Sequence, residues 1–358
     1  MPGPGLDDRV AAWGGEELVV RHDADSGGWM FVAVHSTVLG PAMGGTRCKV
    51  YPSFDDAVAD ALRLSLAMTL KLAAADLPFG GGKAVLALPT IPARETGAWR
   101  ALFERYGDLI SSLGGTYVTA ADMNTSSAEM DVVAERTPHV LGRSPTHGGS
   151  GDPGPDTAVG VFHGIRSACA RAFGAADLGG RSVVVQGAGS VGRRLLELLR
   201  DAGATVSVAD IDAARAGEAS ASTGATVVPV DEALTIECDV LAPCATGGVL
   251  SADTIPKLRC RVIAGAANNQ LATDDDDERL TETGVLYAPD YVVNAGGVIH
   301  LAGYETLGWD EATVSARLAA IGQSLTEVFD VAAAHGITTA KAADRLAGER
   351  IAAVAAGR

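Results

Sequence analysis

Hydrophobic and polar positions change period several times along this chain. LVVRHDADSGGWMFVAVHST (18–37) has two β-type runs around a polar centre, and predicts a hairpin with its turn near Asp25–Gly28. Ser53 then precedes FDDAVADALRLSLAMTLKLAAAD. There Ala57, Ala61, Leu64, Met68 and Lys71 fall on or near one stripe of a long helix, and Ser53 is its expected N-cap. AVLALP (84–89) and TYVTAA (116–121) read as strands, with a helix near 97–112 between them. THGGSGDPGPD (146–156) crowds Gly, Pro, Ser and Asp together and can form no regular element, so it is the expected seam between domains.

Beyond the seam a helix is expected over 157–172. SVVVQGAGSVGRRLLELLRDAGATVSVAD then reads as strand, glycine turn, helix, strand. Apolar strands follow at DVLAPC (239–244), RVIAGAA (261–267) and VLYAPD (285–290), with helices between, and residues 310–358 are helical by pattern. Strands alternating with helices predict an α/β fold with a parallel, doubly wound sheet. TDDDDER (273–279) reads as a solvated helix start, its acids at the positive end of the helix dipole.

The chain has 358 residues, room for about two domains. Its formal net charge of −16 argues against nucleic acid as a partner, because phosphate contacts need a basic surface. No apolar stretch reaches the length of a membrane span, and MPGPGLDDRV lacks the pattern of a secretory leader. The five cysteines form no C-x-x-C pair and the seven histidines are dispersed, so neither a disulfide framework nor a metal site is expected. A reduced, cytoplasmic setting follows.

Two stretches carry candidate chemistry. In LPFGGGKAVLALP (77–89), three glycines read as a flexible turn that runs into Lys83 at the mouth of the expected strand. This is no phosphate loop: Leu77 stands where that motif needs Gly, and Ala84 where it needs Ser or Thr. The other stretch is G-A-G-S-V-G: Gly187, Ala188, Gly189, Ser190, Val191 and Gly192. It follows a predicted strand and opens a helix, and Asp210 ends the next strand 23 residues after Gly187. Gly187 permits the tight turn, Gly189 lets a pyrophosphate approach, and Gly192 lets helix and strand pack closely. Asp210 suits the adenosine ribose hydroxyls and repels a 2′-phosphate, which favours NAD over NADP. A nicotinamide enzyme must also hold substrate and move protons. Lys71, Lys83 and Asp122 offer that in the first domain. If the strands of Lys83 and Asp122 run antiparallel, the two side chains emerge at one sheet edge. Taken singly, each has a plainer reading: a snorkelling helix lysine, a solvated strand-end lysine and a turn aspartate.

GPAMGGTR (40–47), MTLK (68–71), LPFGGGK (77–83), TAADMNT (119–125), GAGSVG (187–192), APCATGG (242–248), GAANNQ (265–270) and APDYVVNAGGVIH (288–300) together resemble the leucine, valine and phenylalanine branch of the glutamate dehydrogenase superfamily. The resemblance covers nearly the whole chain, in order and spacing. It implies a substrate-binding and catalytic α/β domain over 1–148, a Rossmann NAD-binding domain over 149–325, and C-terminal helices over 326–358 that pack back on the first domain. The active site would lie in the cleft between the domains. The implied reaction is NAD-dependent oxidative deamination of an apolar L-amino acid (leucine, valine, isoleucine or phenylalanine) to the 2-oxo acid and ammonium, and its reverse, in a homo-oligomer.

By the same resemblance Lys83 is the catalytic lysine, Asp122 its acid/base partner, and Lys71 the anchor of the substrate carboxylate, helped by Asn268. Gly44 and Gly45 shape the backbone around the substrate, and Met43, Ala120 and Val298 line its side-chain pocket. Thr157, Asn268 and Asn294 sit near the nicotinamide, with Cys244 and Ala245 also against the cofactor. Lys83 is expected to be tuned by burial and a neighbouring cation, with Lys71 as the fixed charge. Two alternatives stand beside this reading. A non-catalytic NAD-sensing regulator on the same fold would have no use for Lys71, Lys83 and Asp122 together. A glutamate-type dehydrogenase would want a further cation, and Met43, Ala67 and Met68 supply none.

Overall fold

The computed structural model describes residues 5–357; Met1–Pro4 and Arg358 lie outside the described residues, and with them the opening of the segment read above for a leader. The chain divides into two compact units. One runs to Asp152 and takes in Tyr304–Gly308 and the chain from Ala347 onward; the other comprises Pro153–Gly303 and Trp309–Leu346. The sequence suggested that all of 326–358 returns to the first domain. Most of that stretch instead groups with the second unit, because the helix of Glu311–His335 packs on that of Gly154–Phe173.

The first unit contains α1 (Leu6–Trp13), β1 (Glu17–Asp23), β2 (Gly28–Ser36), β3 (Ala42–Lys49), α2 (Phe54–Ala74), β4 (Gly80–Ala87), α3 (Gly97–Ser112), β5 (Tyr117–Ala121) and α4 (Ser127–Ala134). Among the described residues its five strands form one sheet in the order β1-β2-β4-β3-β5. The hairpin is as expected, with Asp23 opposite Gly28. Ser53 caps α2, its hydroxyl accepting from the Asp56 N–H. β3 was not foreseen, because its Ala-Met-Gly-Gly core has little β propensity.

Two expectations need correction. β4 and β5 do not run antiparallel: both lie parallel to β3, one on each side of it. Gly80–Gly82 are not a turn but the first residues of β4. Packing explains the glycines. Side chains alternate along a strand. Val85 therefore packs with Phe31, Ala57, Val58 and Ala61 under α2, while Ala84 and Leu86 pack with Trp99, Leu102 and Phe103 of α3. A Cβ at Gly81 would come closer than 3.0 Å to the Thr69 backbone, and one at Gly82 would come within 2.8 Å of the Tyr117 ring. The missing side chain at Gly81 lets α2 settle directly on the sheet, and that at Gly82 makes room for Tyr117 on the other face.

The C-terminus of α2 has an external partner. Arg350 Nη1 donates to the carbonyls of Ala73 (3.0 Å) and Ala74 (2.8 Å). Helix ends leave such carbonyls without intrahelical donors.

The second unit contains α5 (Gly154–Phe173), β6 (Ser182–Gln186), α6 (Ser190–Asp201), β7 (Thr205–Ala209), α7 (Ala213–Thr223), β8 (Thr226–Val227), β9 (Val240–Pro243), β10 (Val262–Ile263), α8 (Asp275–Thr283), β11 (Leu286–Tyr287), α9 (Asp290–Val293), α11 (Glu311–His335), most of α10 (Gly296–Glu305) and the first part of α12 (Thr339–Ala356), the ends of the last two belonging to the first unit. Its parallel sheet has the order β11-β10-β9-β6-β7-β8, the doubly wound dinucleotide-binding arrangement. The acidic run does begin a helix, but it is not all solvated. Asp276 is 1% exposed, held by Thr273 and Arg279, and Asp277 is 3% exposed, so burial pushes its carboxyl up.

Close packing at Gly81 gives a direct test. Gly81→Ala is expected to force α2 off the sheet and cost about 1–3 kcal/mol in urea unfolding. Gly97→Ala, where a Cβ meets nothing within 4 Å, is expected to be neutral or slightly stabilising. Equal stability of the two variants would contradict this account.

Candidate functional site

Strand alternation gathers the first unit's candidates on one face. Met43, Gly45 and Arg47 of β3, Gly81, Lys83 and Val85 of β4, and Ala120 and Asp122 at the end of β5 all turn toward α2. Lys83 stands mid-strand rather than at a strand mouth, and is 5% exposed. Met43 and Ala120 are buried on the same face. Asp122 follows β5 in a tight turn: its N–H donates to Thr125 Oγ1 (2.8 Å), and that hydroxyl donates to the Thr46 carbonyl (2.8 Å). Asn124, in the same turn, has φ +62°.

The two glycines of β3 make the meeting possible. A Cβ at Gly45 would come within 2.8 Å of both Asp122 Cβ and the Ala121 carbonyl. Without it, Asp122 lies back across β3 and reaches Lys83 on the far side, Nζ to Oδ2 3.0 Å. Gly44 has no space for a side chain over β4, and its carbonyl accepts from the buried Tyr117 hydroxyl (2.6 Å). Behind this face, on the α3 side, Thr46, Tyr106 and Thr119 close a ring of three hydroxyl hydrogen bonds at 2.6–2.8 Å.

Burial pushes the Lys83 ammonium down from its ordinary range; Asp122 pushes it back up and Arg47 pushes it down again, and the outcome is a lowered value. Burial opposes ionisation of Asp122, yet Lys83 and Arg47 together hold its carboxyl down at about 2. Asp122 is therefore an anion, while Lys83 is a lysine that gives up its proton more readily than usual. Lys71 lies in the last turn of α2 and is half-buried. Asp60, Leu64 and Lys71 follow one helical stripe, and Asp60 on that stripe reaches Arg47.

Arg47 is the residue that the sequence reading passed over. The expected neighbouring cation was Lys71, but the cation on Lys83's own partner is Arg47, with Nε 3.0 Å from Asp122 Oδ2. Asp60 then holds Arg47 Nη1 at 3.0 Å. The signal was available: once β3 is a strand, Met43, Gly45 and Arg47 must share a face.

The second unit gathers its own candidates where the strand order reverses, between β6 and β9. Gly187 has φ +104°, in the left-handed region that favours glycine, and a Cβ there would meet Ala245 and Cys244 just after β9. A Cβ at Gly192 would collide with the Gly187 carbonyl. At Gly189 a Cβ would meet nothing within 4 Å, so the N-terminus of α6 opens to space. Ala188, Gly189 and Ser190 line a cavity of about 590 Å³ there, with Arg193, Arg194 and Arg215 also on its wall. Asp210 accepts from the Ala188 N–H (2.7 Å) and the Asp212 N–H (2.8 Å), and each oxygen keeps acceptor capacity for a ribose hydroxyl.

Asn294 Nδ2 donates to Asn268 Oδ1 (2.8 Å) and the Ala266 carbonyl (3.0 Å). Its buried Oδ1 has no hydrogen-bond partner and suits a carboxamide donor. Thr157, in the first turn of α5, bonds the Pro153 carbonyl (2.9 Å) and lies against Gly297. Val191 and Val298 are both half-buried. Cys244 donates its N–H to the Gln186 carbonyl (2.7 Å), and burial pushes its thiol up to about 11, so it is wall rather than nucleophile. An open helix N-terminus, a ribose acceptor and an orphaned amide oxygen fit a nicotinamide dinucleotide.

Family descriptions match both halves of the chain: "Glu/Leu/Phe/Val dehydrogenase, dimerisation domain" over residues 20–139, and "Glutamate/Leucine/Phenylalanine/Valine dehydrogenase" over residues 213–358. Leucine dehydrogenase of Thermoactinomyces intermedius is 43% identical over 336 residues, 94% of this chain and 90% of that protein. Valine dehydrogenase of Streptomyces coelicolor is 44% identical over 342 residues, 95% and 93% of the two chains. The crystal structure of L-tryptophan dehydrogenase from Nostoc punctiforme matches with a TM-score of 0.84 at 37% identity, covering 98% of this chain and 99% of its own.

Proposed function

The chain belongs to the glutamate/leucine/phenylalanine/valine dehydrogenase family, and from that premise we propose an assignment of roles to its residues. It is an oxidoreductase that oxidatively deaminates an apolar L-amino acid with a nicotinamide cofactor. Neither the regulator nor the glutamate-type alternative is favoured. The observation that carries the assignment is the buried Lys83–Asp122 pair on a face shared with the apolar Met43 and Ala120.

Lys71 binds the substrate carboxylate as a fixed cation, helped by Asn268. Met43, Ala120 and Val298 meet the substrate's side chain. They carry no charge, so a glutamate side chain would be buried without a partner, at a cost of several kcal/mol. A bound nicotinamide would supply the acceptor for a hydride from Cα, and loss of that hydride makes the substrate an iminium. Lys83, in its neutral form, takes a proton from the water that attacks that carbon. Asp122 stays ionised, orients Lys83 and steadies the positive charge that builds up there. Collapse of the carbinolamine releases ammonium and leaves the 2-oxo acid. Gly187–Gly192 receive the pyrophosphate, Thr157, Cys244, Ala245 and Asn294 surround the cofactor, and Asp210 selects NAD. The dimerisation-domain match supports a homo-oligomer. A cytoplasmic setting is supported by five cysteines that are all free thiols.

The first test is a panel of L-amino acids with NAD⁺, following NADH. Leucine, isoleucine and valine are expected to lead and glutamate to fail. Ala120→Gly, which enlarges the pocket, is expected to move kcat/KM toward phenylalanine; one methylene of fit is worth about 1–3 kcal/mol, so substrates will overlap. Preference for glutamate would refute the pocket. Separately, Lys83→Ala and Asp122→Asn are each expected to lower kcat by on the order of a hundredfold with NADH binding retained, and Lys71→Ala to raise KM for the amino acid. A near-parental kcat in Lys83→Ala would remove Lys83 from the chemistry. For the cofactor, Asp210→Ser is expected to weaken NAD⁺ use and narrow the gap to NADP⁺. Equal use of both cofactors by the parent would refute selection by Asp210.

A further inference from the structure

A buried lysine paired with one aspartate poses a problem for base chemistry. The carboxylate favours the ammonium form, so the pair tends to hold the proton that the reaction needs Lys83 to lack. Lys83's ion pair is with Oδ2 of Asp122. A second cation, Arg47, is on that same oxygen, also at 3.0 Å. An arginine does not lose its proton in proteins. The Asp122 charge therefore stays balanced by Arg47 whichever state Lys83 adopts.

Arg47 is held from its other end. Its Nη1 lies 3.0 Å from Asp60 Oδ2 on α2, and Tyr51 donates its hydroxyl to that same oxygen (2.7 Å). Arg63 Nη2 meets Asp60 Oδ1 at 2.8 Å. Arg47 and Asp60 are each about one-seventh exposed, so solvent screens this pair only weakly. The charges run Lys83, Asp122, Arg47, Asp60, Arg63 across β4, the end of β5, β3 and α2.

We propose that Arg47 is a positioning residue for this reaction: by sharing Asp122 Oδ2 with Lys83 it lets Lys83 stand neutral beside a charged Asp122, and Asp60 sets how much of Arg47's charge Lys83 feels. The inference rests on the reading of Lys83 as the base. The groups that bear on Lys83 come from each element packed on β4. Asp122 comes from the end of β5, Arg47 from β3, and Asp60 and Lys71 from α2. β2 brings His35, whose Nδ1 is engaged with Thr69 Oγ1 (2.8 Å). Of these, Asp122 and Asp60 favour the ammonium and Arg47 opposes it.

The signs give a test that loosened packing cannot imitate. Removing Arg47's charge leaves two carboxylates facing Lys83, so Lys83 holds its proton to higher pH. Removing Asp60's charge leaves Arg47 unbalanced, so Lys83 loses its proton at lower pH. The readout is the limb of kcat/KM for oxidative deamination that rises with pH, in the parent, Arg47→Met, Arg47→Lys and Asp60→Asn. The substrate's own amine titrates identically in all four. Arg47→Met is expected to move the limb up by about one pH unit or more, Asp60→Asn to move it down, and Arg47→Lys to leave it near the parent. Thermal unfolding and NADH binding identify variants that fold. If Arg47→Met does not fold, Asp60→Asn decides alone. A limb that moves the same way in both variants overturns the inference, as does a limb that stays put in Asp60→Asn while the titration of Lys83 itself stays put as well.

Labelling of Lys83 by acetic anhydride across pH, read by peptide mass mapping, follows the same titration without turnover. Labelling midpoints that move in opposite directions in the two variants support Arg47's role even where the activity limb ignores them. In that case it is the base assignment of Lys83 that falls. Labelling midpoints that do not move remove Arg47's role and leave the base assignment standing.

Discussion

How closely α2 can approach its sheet governs everything on that face. The backbone of α2 touches the strand only because Gly81 contributes no side chain. The rest follows from that seat. Asp60 comes within reach of Arg47, Lys83 is covered to 5% exposure, and Lys71 is carried on the stripe that Asp60 shares. A side chain at Gly81 would lift the helix and hydrate Lys83, and a hydrated lysine is an ordinary ammonium. The perturbed chemistry of the face is thus a product of backbone packing before it is a product of charge.

The architecture was largely legible because its signals are local. The hairpin, the capped α2, the strand–glycine–helix turn at Gly187 and the alternation of the second unit each lie within one stretch of sequence. What stayed hidden depends on contacts between distant stretches. Gly80–Gly82 read as a turn because glycine usually marks one, and only the position of Thr69 reveals them as strand. β3 was masked by the same small residues. Once β3 was missed, Arg47 had no face to belong to, and the parallel placement of β4 and β5 around it could not be seen. The buried Asp276 and Asp277 failed for a similar reason: an acidic run resembles surface until its partners are known.

The two units solve the same problem with opposite materials. In the first, charge is buried and balanced by charge, through a chain of alternating sign that runs from Lys83 to Arg63. In the second, the open space at the start of α6 is built from what is absent: no Cβ at Gly189, and a helix end with no side-chain cap. The first arrangement fixes a proton's position; the second leaves room for a large anion. Asp210 connects the two strategies, since it is tied to the glycine turn through the Ala188 N–H while its charge faces outward.

Arg350 adds a constraint in time. The carbonyls that end α2, at Ala73 and Ala74, receive their donor from a residue 277 and 276 positions later in the chain. Domains generally begin to fold as they leave the ribosome, N-terminal part first. The sheet and α2 can assemble at that stage, but the Ala74 carbonyl lacks this donor until Arg350 has been synthesised. The end of α2 beside Lys71 is therefore fully closed only once the chain has been made as far as Arg350, and a chain cut before that residue would leave the Ala74 carbonyl to water.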